Sequence, residues 1–313
     1  IPLEIQRRSL NFFYFIMKTV SVILASYNGE KYIKEQIDSI LAQTYPIYEI
    51  LIGDDGSADN TMSILNDYAC KYGNIKIISS NGKHGVNYNF KRLMDTASGN
   101  YIAISDQDDI WFPEKIEIMM REIGTHVLAY SDAIPFSGML IPYNKEQSVE
   151  FDSYIPENSI EDIMFNNVVS GHRMLVKKEF INEIHEWNFD VYYDWWLAIS
   201  ASYRNSIIYI PCPLVFWRRH DHSMTLLSPK REKKIFKVFK FIRRRHSYFQ
   251  SLLKLFNDLG IENEKQLIIY KLAHKFASRS VCINLYGCFY YCIKIKSRLS
   301  YSTFIKPLKM WSK

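Results

Sequence analysis

The sequence predicts an α/β protein: a mostly parallel, twisted sheet flanked by helices, with a basic helical C-terminal extension. Three observations predict it. From Thr19 to about Tyr130, short runs of β-branched residues alternate with amphipathic stretches, the pattern of a parallel sheet wrapped by helices. The 313 residues are 48% hydrophobic and 15% aromatic, enough for the core of one large α/β domain with an appendage, or of two modest domains. Beyond Ser228 the pattern turns basic and helical: residues 230–313 hold 20 Lys and Arg against 4 Asp and Glu, whereas residues 1–229 hold 19 against 29.

Val20-Ser21-Val22-Ile23-Leu24-Ala25 reads as a buried strand. A turn at Tyr27-Asn28-Gly29 follows, then a helix whose Ile33, Ile37, Ile40 and Leu41 make one apolar stripe. Pro46 ends that connection. Residues 49–53 form a second strand that runs into Asp54 and Asp55, and the next helix carries Met62, Ile64, Leu65 and Tyr68 and stops near Gly73. Residues 75–78 are a third strand, 86–97 a helix stopped at Gly99, and 101–105 a fourth strand. Acidic residues and Pro113 then precede a helix at 114–120. After Tyr130 the alternation loosens: residues 133–160 read as a polar loop. Residues 161–220 read as a second unit, with a short helix, a strand near 174–176, a helix from about Asp194 to Tyr203, and strands at 207–210 and 214–217. The chain thus divides into an upstream extension at 1–16, a first half at 17–132, a second half at 133–228 and a basic tail at 229–313.

The five cysteines, Cys70, Cys212, Cys282, Cys288 and Cys292, are odd in number and lack C-x-x-C spacing, which points to reduced thiols of a cytosolic protein. Arg7 and Arg8 before an apolar run at 10–16 resemble the front of a signal peptide. That run lacks a small-residue cleavage site and is too short to span a bilayer, so Met17 reads as the natural start. In the tail, Ile235, Phe236, Phe239 and Ile242 share one helical side with cations around them. The pattern suits either an anionic membrane surface or a helix packed on the α/β unit with a solvated basic face. A nucleic-acid binder would explain the tail but not an acidic front with carboxylates at strand ends.

In open parallel sheets ligands bind outside the carboxyl ends of the strands. Three loops there hold Tyr27, Asp54-Asp55 and Asp106-Gln107-Asp108-Asp109. Carboxylates this crowded repel one another, and a hard divalent cation such as Mg²⁺ or Mn²⁺ relieves them; the competing reading is an acidic helix N-terminus. Asp54-Asp55-Gly56-Ser57 can accept a base N–H or a ribose hydroxyl, or form an Asx turn opening the helix at Asn60. In Tyr192-Tyr193-Asp194-Trp195-Trp196 the aspartate is a proton acceptor or an N-cap, with the tryptophans as core in the second case. Trp217-Arg218-Arg219-His220 offers phosphate-neutralising cations and an imidazole.

Residues 20–28, Gln43-Thr44-Tyr45, Asp54-Asp55-Gly56-Ser57 with Asn60-Thr61, and Gly99-Asn100-Tyr101-Ile102 running into Ser105-Asp106-Gln107-Asp108-Asp109-Ile110-Trp111 resemble, in that order, glycosyltransferase family 2. The likeness covers residues 18–225 and is strongest to the branch with bacterial rhamnosyltransferases of surface-polysaccharide assembly. It implies the GT-A nucleotide-diphospho-sugar transferase fold, with a nucleotide-sugar half followed by an acceptor half. It also implies inverting transfer from a dTDP-rhamnose or UDP-hexose donor to a glycan or lipid-linked acceptor. Carried over by position, Ala25 and Tyr27 wall the nucleobase, Glu30 lies near the ribose, Asp54 and Asp55 serve the nucleotide with Asp55 the partner of the base, and Asp106 contacts the ribose or metal-bound water. Asp108 is the main metal ligand and His220 completes its shell. Arg218 and Arg219 neutralise the diphosphate, Asp194 is the catalytic base, and His172 and Trp195 line the acceptor pocket. A sugar nucleotidyltransferase could use a related sheet, but no Gly-rich, cation-bearing loop follows the first strand to grip a triphosphate. The resemblance and the tail together imply a cytoplasmic enzyme held at the inner face of the cell membrane.

Overall fold

The structure, a computed structural model, describes residues 18–80, 82–138, 160–164, 167, 169–220 and 234–277, with the backbone alone for 161–162, 234–246 and 275–276. The extension at 1–16, most of the expected 133–160 loop and the last stretch of the tail lie outside these residues. In chain order come β1 (Val20–Ser26), α1 (Ile33–Leu41), β2 (Glu49–Asp54), α2 (Thr61–Lys71), β3 (Ile75–Ile77), α3 (Val86–Thr96) and β4 (Tyr101–Ser105). They are followed by β5 (Ile110–Trp111), α4 (Lys115–Glu122), β6 (Leu128–Phe136), α5 (Ile160–Ile163), a 3₁₀ turn (Gly171–Arg173) and β7 (Met174–Lys177). Then come α6 (Lys178–Glu183), α7 (Tyr193–Tyr203), β8 (Ile207–Arg218), α8 (Lys234–Leu259) and α9 (Glu264–Phe276).

Among the described residues the strands form one sheet in the order β3-β2-β1-β4-β7-β6-β8-β5. The β3-β2-β1-β4 side is parallel, as expected; β7 then pairs antiparallel with both β4 and β6. Helices cover both faces. Ile23, Leu51, Ile102 and Ile104 face a core with α3, α7 and α8, while Val22, Leu24, Ile50 and Ile52 face another with α1 and α4. Strands buried on both sides read as continuous apolar runs, which is why β1 and β2 are recognisable from sequence.

Two expected boundaries change. Residues 133–136 continue β6 instead of starting a loop. The strands expected at 207–210 and 214–217 are one strand, β8, whose register against β6 passes from Ser131↔Ile210 to Asp132↔Pro213 to Ala133↔Val215. Proline cannot donate to a ladder, so Pro211 and Pro213 suggest a break, and the sheet takes them into a bulge instead.

The tail joins the core in its described part. Tyr248, Phe249, Leu252, Leu255, Phe256 and Leu259 of α8 and Ile269 and Leu272 of α9 are buried in the same cluster as Phe90 and Trp196. The Tyr248 hydroxyl donates to the Met164 carbonyl at 2.7 Å, and Tyr203 stacks on Phe256 with centroids 4.2 Å apart. Ile235, Phe236, Phe239 and Ile242 lie outside the described side chains. Burying one large apolar side chain contributes about 1.5–3 kcal/mol, and a domain's net stability is only about 5–15 kcal/mol. Truncation after Ser228 is therefore expected to yield insoluble chain, or soluble chain without a cooperative melt. A truncated protein with a sharp thermal transition would show these helices to be dispensable. No helix among the described residues is long and apolar enough to cross a membrane.

Candidate active site

The chain runs outward from β1 through β2 to β3 and then returns to β4 on the other side of β1. The loops after β1 and β4 therefore flank a crevice at the carboxyl edge, the place where open α/β sheets bind ligands. Gln107 bridges them. Its Oε1 accepts the Tyr27 N–H at 2.8 Å and its Nε2 donates to the Tyr27 carbonyl at 3.0 Å, fixing a tyrosine that stays 57% exposed. A Cβ on Gly29 would stand 2.4 Å from Gln107 Oε1, so the missing side chain lets this clamp close. Half-buried Ala25 is the last residue but one of β1. The sequence reading gives Gln107 no role; an amide set among carboxylates is the signal that marks it.

At the end of β2 the two aspartates part company. Asp54 is consumed by an Asx turn: Oδ1 accepts from the Ser26 and Ser57 hydroxyls at 2.9 and 2.6 Å, and Oδ2 from the Gly56 and Ser57 N–H groups at 3.0 and 2.8 Å. Asp55 reaches the start of α3, where Oδ2 accepts the Gly85 N–H at 2.7 Å and Oδ1 meets His84 Nδ1 at 3.2 Å. Glu30, expected at the ribose, accepts from the Asn60 backbone and side-chain N–H groups with one oxygen, both at 2.9 Å, and holds the start of α2.

The loop after β4 meets the 3₁₀ turn. One ligand atom each from Asp106, Asp109 and His172 lie within 4.8 Å of one another. His172 Nδ1 is 3.5 Å from Asp106 Oδ2 and 4.0 Å from Asp109 Oδ2. Asp109 Oδ1 accepts the Arg218 N–H at 3.0 Å, while Asp109 Oδ2 and His172 Nε2 are buried with no hydrogen-bond partner. Burial, then the charges of Asp106 and Asp108, push the Asp109 carboxyl well above the usual range; burial and Asp106 also raise Asp108. Burial lowers His172, against the pull of Asp106. A buried carboxylate oxygen without a donor, crowded by like charge and beside a neutral imidazole nitrogen, is a donor set that fits a divalent cation. His172, expected on the acceptor floor, thus stands in the acidic cluster. Asp108 and His220, the pair expected at the metal, face each other alongside, Oδ2 to Nε2 at 2.7 Å.

Two buried cations brace this cluster. Lys115, whose pKa burial holds well below that of a free lysine, donates to the His172 carbonyl at 2.6 Å with its ammonium 3.5 Å from the Trp111 ring centroid. Only its place beside Ile116 and Met119 on a buried helix face distinguishes it in the sequence. Arg218 pairs with Glu35, donates to the Asp108 carbonyl at 2.8 Å and lies 4.6 and 4.5 Å from the Tyr32 and Phe136 rings. So engaged, Arg218, the residue expected at the diphosphate, also braces this loop. Arg219 stays exposed, 5.0 Å from the Trp217 ring.

Asp194 lies in the first turn of α7, with Tyr192 at the cap position. Its Oδ1 accepts from the Trp195 N–H at 2.6 Å and Asn167 Nδ2 at 3.1 Å, and its Oδ2 from the Gly171 N–H at 3.2 Å. Burial pushes its pKa up to about 6 against those donors, with the Asp106 charge adding to the rise. Because Gly171 precedes His172, one turn connects Asp194 to the acidic cluster. Trp195, expected in the acceptor pocket, donates its indole N–H to the Ile163 carbonyl at 2.6 Å and packs 5.5 Å from Tyr248, which makes it part of the core wall. A polar cleft of about 1030 Å³ lined by Lys18, Asn100, Lys177 and Arg204 opens at the amino end of β4, away from all these groups.

A family model described as Glycosyl transferase family 2 matches residues 21–184. The "dTDP-rhamnosyl transferase RfbG" of Shigella flexneri is 30% identical over 214 residues, covering 64% of this chain and 72% of that protein. The "Putative teichuronic acid biosynthesis glycosyltransferase TuaG" of Bacillus subtilis is 26% identical over 230 residues, 72% of this chain and 89% of that protein. Among solved structures, residues 1–349 of S. aureus TarS in complex with UDP-GlcNAc superpose with a TM-score of 0.58 at 18% identity, covering 93% of this chain and 79% of that one. At that identity the likeness is one of fold, and the fold is GT-A. With more than half of its length inside the family model, and Asp106, Asp109 and His172 within that span, the chain belongs to glycosyltransferase family 2.

Proposed function

We propose that this protein is an inverting glycosyltransferase that moves a sugar from a nucleoside-diphosphate donor to a hydroxyl of a glycan acceptor. The observation that carries this reading is the placement of Asp194, a part-buried carboxylate with a pKa near 6, one turn away from the Asp106–Asp109–His172 cluster at the carboxyl edge of the sheet. A sugar hydroxyl is a poor nucleophile until a base draws off its proton, and a base titrating near 6 is ionised at neutral pH yet still holds the proton it gains. Asp194 takes that proton as the acceptor oxygen bonds to the anomeric carbon. The bond from that carbon to the diphosphate oxygen breaks on the opposite face, and the nucleoside diphosphate leaves.

Ala25, Tyr27 and Asp55 enclose the nucleobase, and Arg219 serves the diphosphate. Asp106, Asp109 and His172 hold Mg²⁺ or Mn²⁺, with Asp108 and His220 beside them; a bound cation supplies neutralisation of the leaving diphosphate. The name of RfbG favours dTDP-rhamnose, with a UDP-hexose as the other donor, and the name of TuaG favours assembly of a bacterial surface polymer. A lipid-linked acceptor would be reached from the cytoplasmic face, with the basic start of the tail against anionic lipid.

Incubation with nucleotide sugars and Mn²⁺ tests the reading. Release of free nucleoside diphosphate from dTDP-rhamnose or a UDP-hexose is expected. Pyrophosphate release would indicate nucleotidyl transfer instead, and no release with any donor would remove the proposal.

A further inference from the structure

Large apolar side chains left in water are informative when they gather near one another. Among the described residues, Tyr27, Tyr88, Phe189 and Tyr192 are exposed and stand on segments that rim the carboxyl edge of the sheet. Tyr27 belongs to the crevice between β1 and β4. The other three are used by nothing described above.

Tyr88 and Phe189 lie face to face, with ring centroids 4.3 Å apart and planes within 9°, yet they remain 36% and 37% exposed. They come from opposite halves of the chain, Tyr88 from the first turn of α3 and Phe189 from the segment leading into α7. Asn87 locks that segment in place. Its Nδ2 donates to the carbonyls of Phe189 at 2.7 Å and Val191 at 2.9 Å, and its Oδ1 accepts the Tyr193 N–H at 3.0 Å. The backbone groups between 189 and 193 are thus largely engaged, and what the segment offers a ligand is ring surface. Tyr192, 53% exposed, is two residues from Asp194. The start of α3 also ties this surface to the crevice, because its Gly85 N–H is bound by Asp55.

We propose that Phe189, backed by Tyr88, and Tyr192 form a stacking platform for a pyranose ring of the acceptor, which sets an acceptor hydroxyl before Asp194. A pyranose has an apolar face of C–H bonds that packs on an aromatic ring and a rim of hydroxyls that one ionised carboxylate can select. Rigid aromatic rings give contact area at low entropic cost, and this pair is already ordered by its own stack and by Asn87. The assignment rests on the transferase reading above. It adds where the acceptor lies and which residues choose it, a role the sequence had suggested for Trp195 and His172.

Saturation-transfer NMR on the full chain, with methyl rhamnopyranoside and methyl glucopyranoside as probes, tests the platform directly. The affinity of UDP and dTDP is measured calorimetrically in the same samples with Mn²⁺. At least one glycoside is expected to receive saturation at its ring C–H protons. The signal should fall at least fivefold in Phe189→Ala and in Phe189→Leu, which keeps an apolar contact with Tyr88 but has no ring face, and should return in Phe189→Trp. Tyr192→Ala should weaken it too, while nucleotide affinity stays within twofold. Nucleotide binding without saturation of either glycoside, or saturation indifferent to Phe189 and Tyr192, would overturn the platform and leave the transferase reading standing. Loss of that reading would show separately, as a wild-type chain that binds neither nucleotide.

Discussion

Replacing Asp194 with Asn is expected to lower the rate of sugar transfer by about 10²–10⁴, the loss produced by removing a general base, with nucleotide affinity nearly unchanged. The substitution is less silent than its shape suggests. Both carboxylate oxygens accept N–H groups, from Trp195 and Asn167 on one side and Gly171 on the other. An asparagine amide must turn its NH₂ towards one of those donors, which costs about 1–3 kcal/mol for a buried group left unmatched. Rates should therefore be measured well below the variant's melting temperature. A variant that melts lower yet transfers within threefold of the wild-type rate would make Asp194 a structural acceptor and place the base elsewhere.

The pH profile gives a second reading of the same residue. Asp194 accepts a proton only when ionised, and its pKa is near 6. Transfer should fall as pH drops through about 6, roughly tenfold per unit below it, and the Asn variant should lack that limb. Stability moves the other way. A carboxyl whose folded pKa lies above its unfolded value of about 3.9 binds protons more readily in the fold, so its contribution rises as pH falls from about 6 towards 4. Loss of rate at pH 5 can therefore be separated from unfolding by a melting curve at the same pH.

What was legible in the sequence is what depends on near neighbours. β1 to β4 and the loops after them show in local apolar runs and acidic turns, and the segment with Asp194 shows in its aromatic flank. Pairings that depend on distant chain were not legible. The antiparallel insertion of β7 between β4 and β6 has no local signature, and Pro211 and Pro213 mislead until β6 is seen to accommodate them in a bulge. The same limit decides which polar side chains remain available. Glu30 and Arg218 have the right chemistry for a nucleotide, and each also meets a partner that only the folded chain brings near, Asn60 and Glu35, whereas Asp54 is bound by Ser57 in the local Asx turn that the sequence itself allows. Conversely, Lys115 shows as one residue on an amphipathic helix, and its place beneath His172 follows from the packing of α4 against the 3₁₀ turn.

The acidic cluster provides the other large effect. Asp106→Ala removes a side chain that is 41% exposed and meets His172, so the fold should survive while transfer falls by about 10²–10³ or more, the scale of losing one electrostatic stabiliser of the leaving group. EDTA should do the same to the wild-type protein. Asp109→Asn separates cation binding from folding. Asp109 Oδ2 is buried without a donor and crowded by Asp106 and Asp108, so its charge opposes the fold whenever no cation is present. The Asn variant keeps an oxygen for the Arg218 N–H and loses that charge. Without metal it should melt no lower than the wild type. Added Mn²⁺ should raise the melting temperature of the wild type, since a ligand bound only by the folded state stabilises it, and should leave the variant where it was. Full transfer in EDTA would remove the cation from the mechanism. A Mn²⁺ response that survives Asp106→Ala and Asp109→Asn but disappears in Asp108→Ala and His220→Ala would move the ion to the neighbouring aspartate–histidine pair.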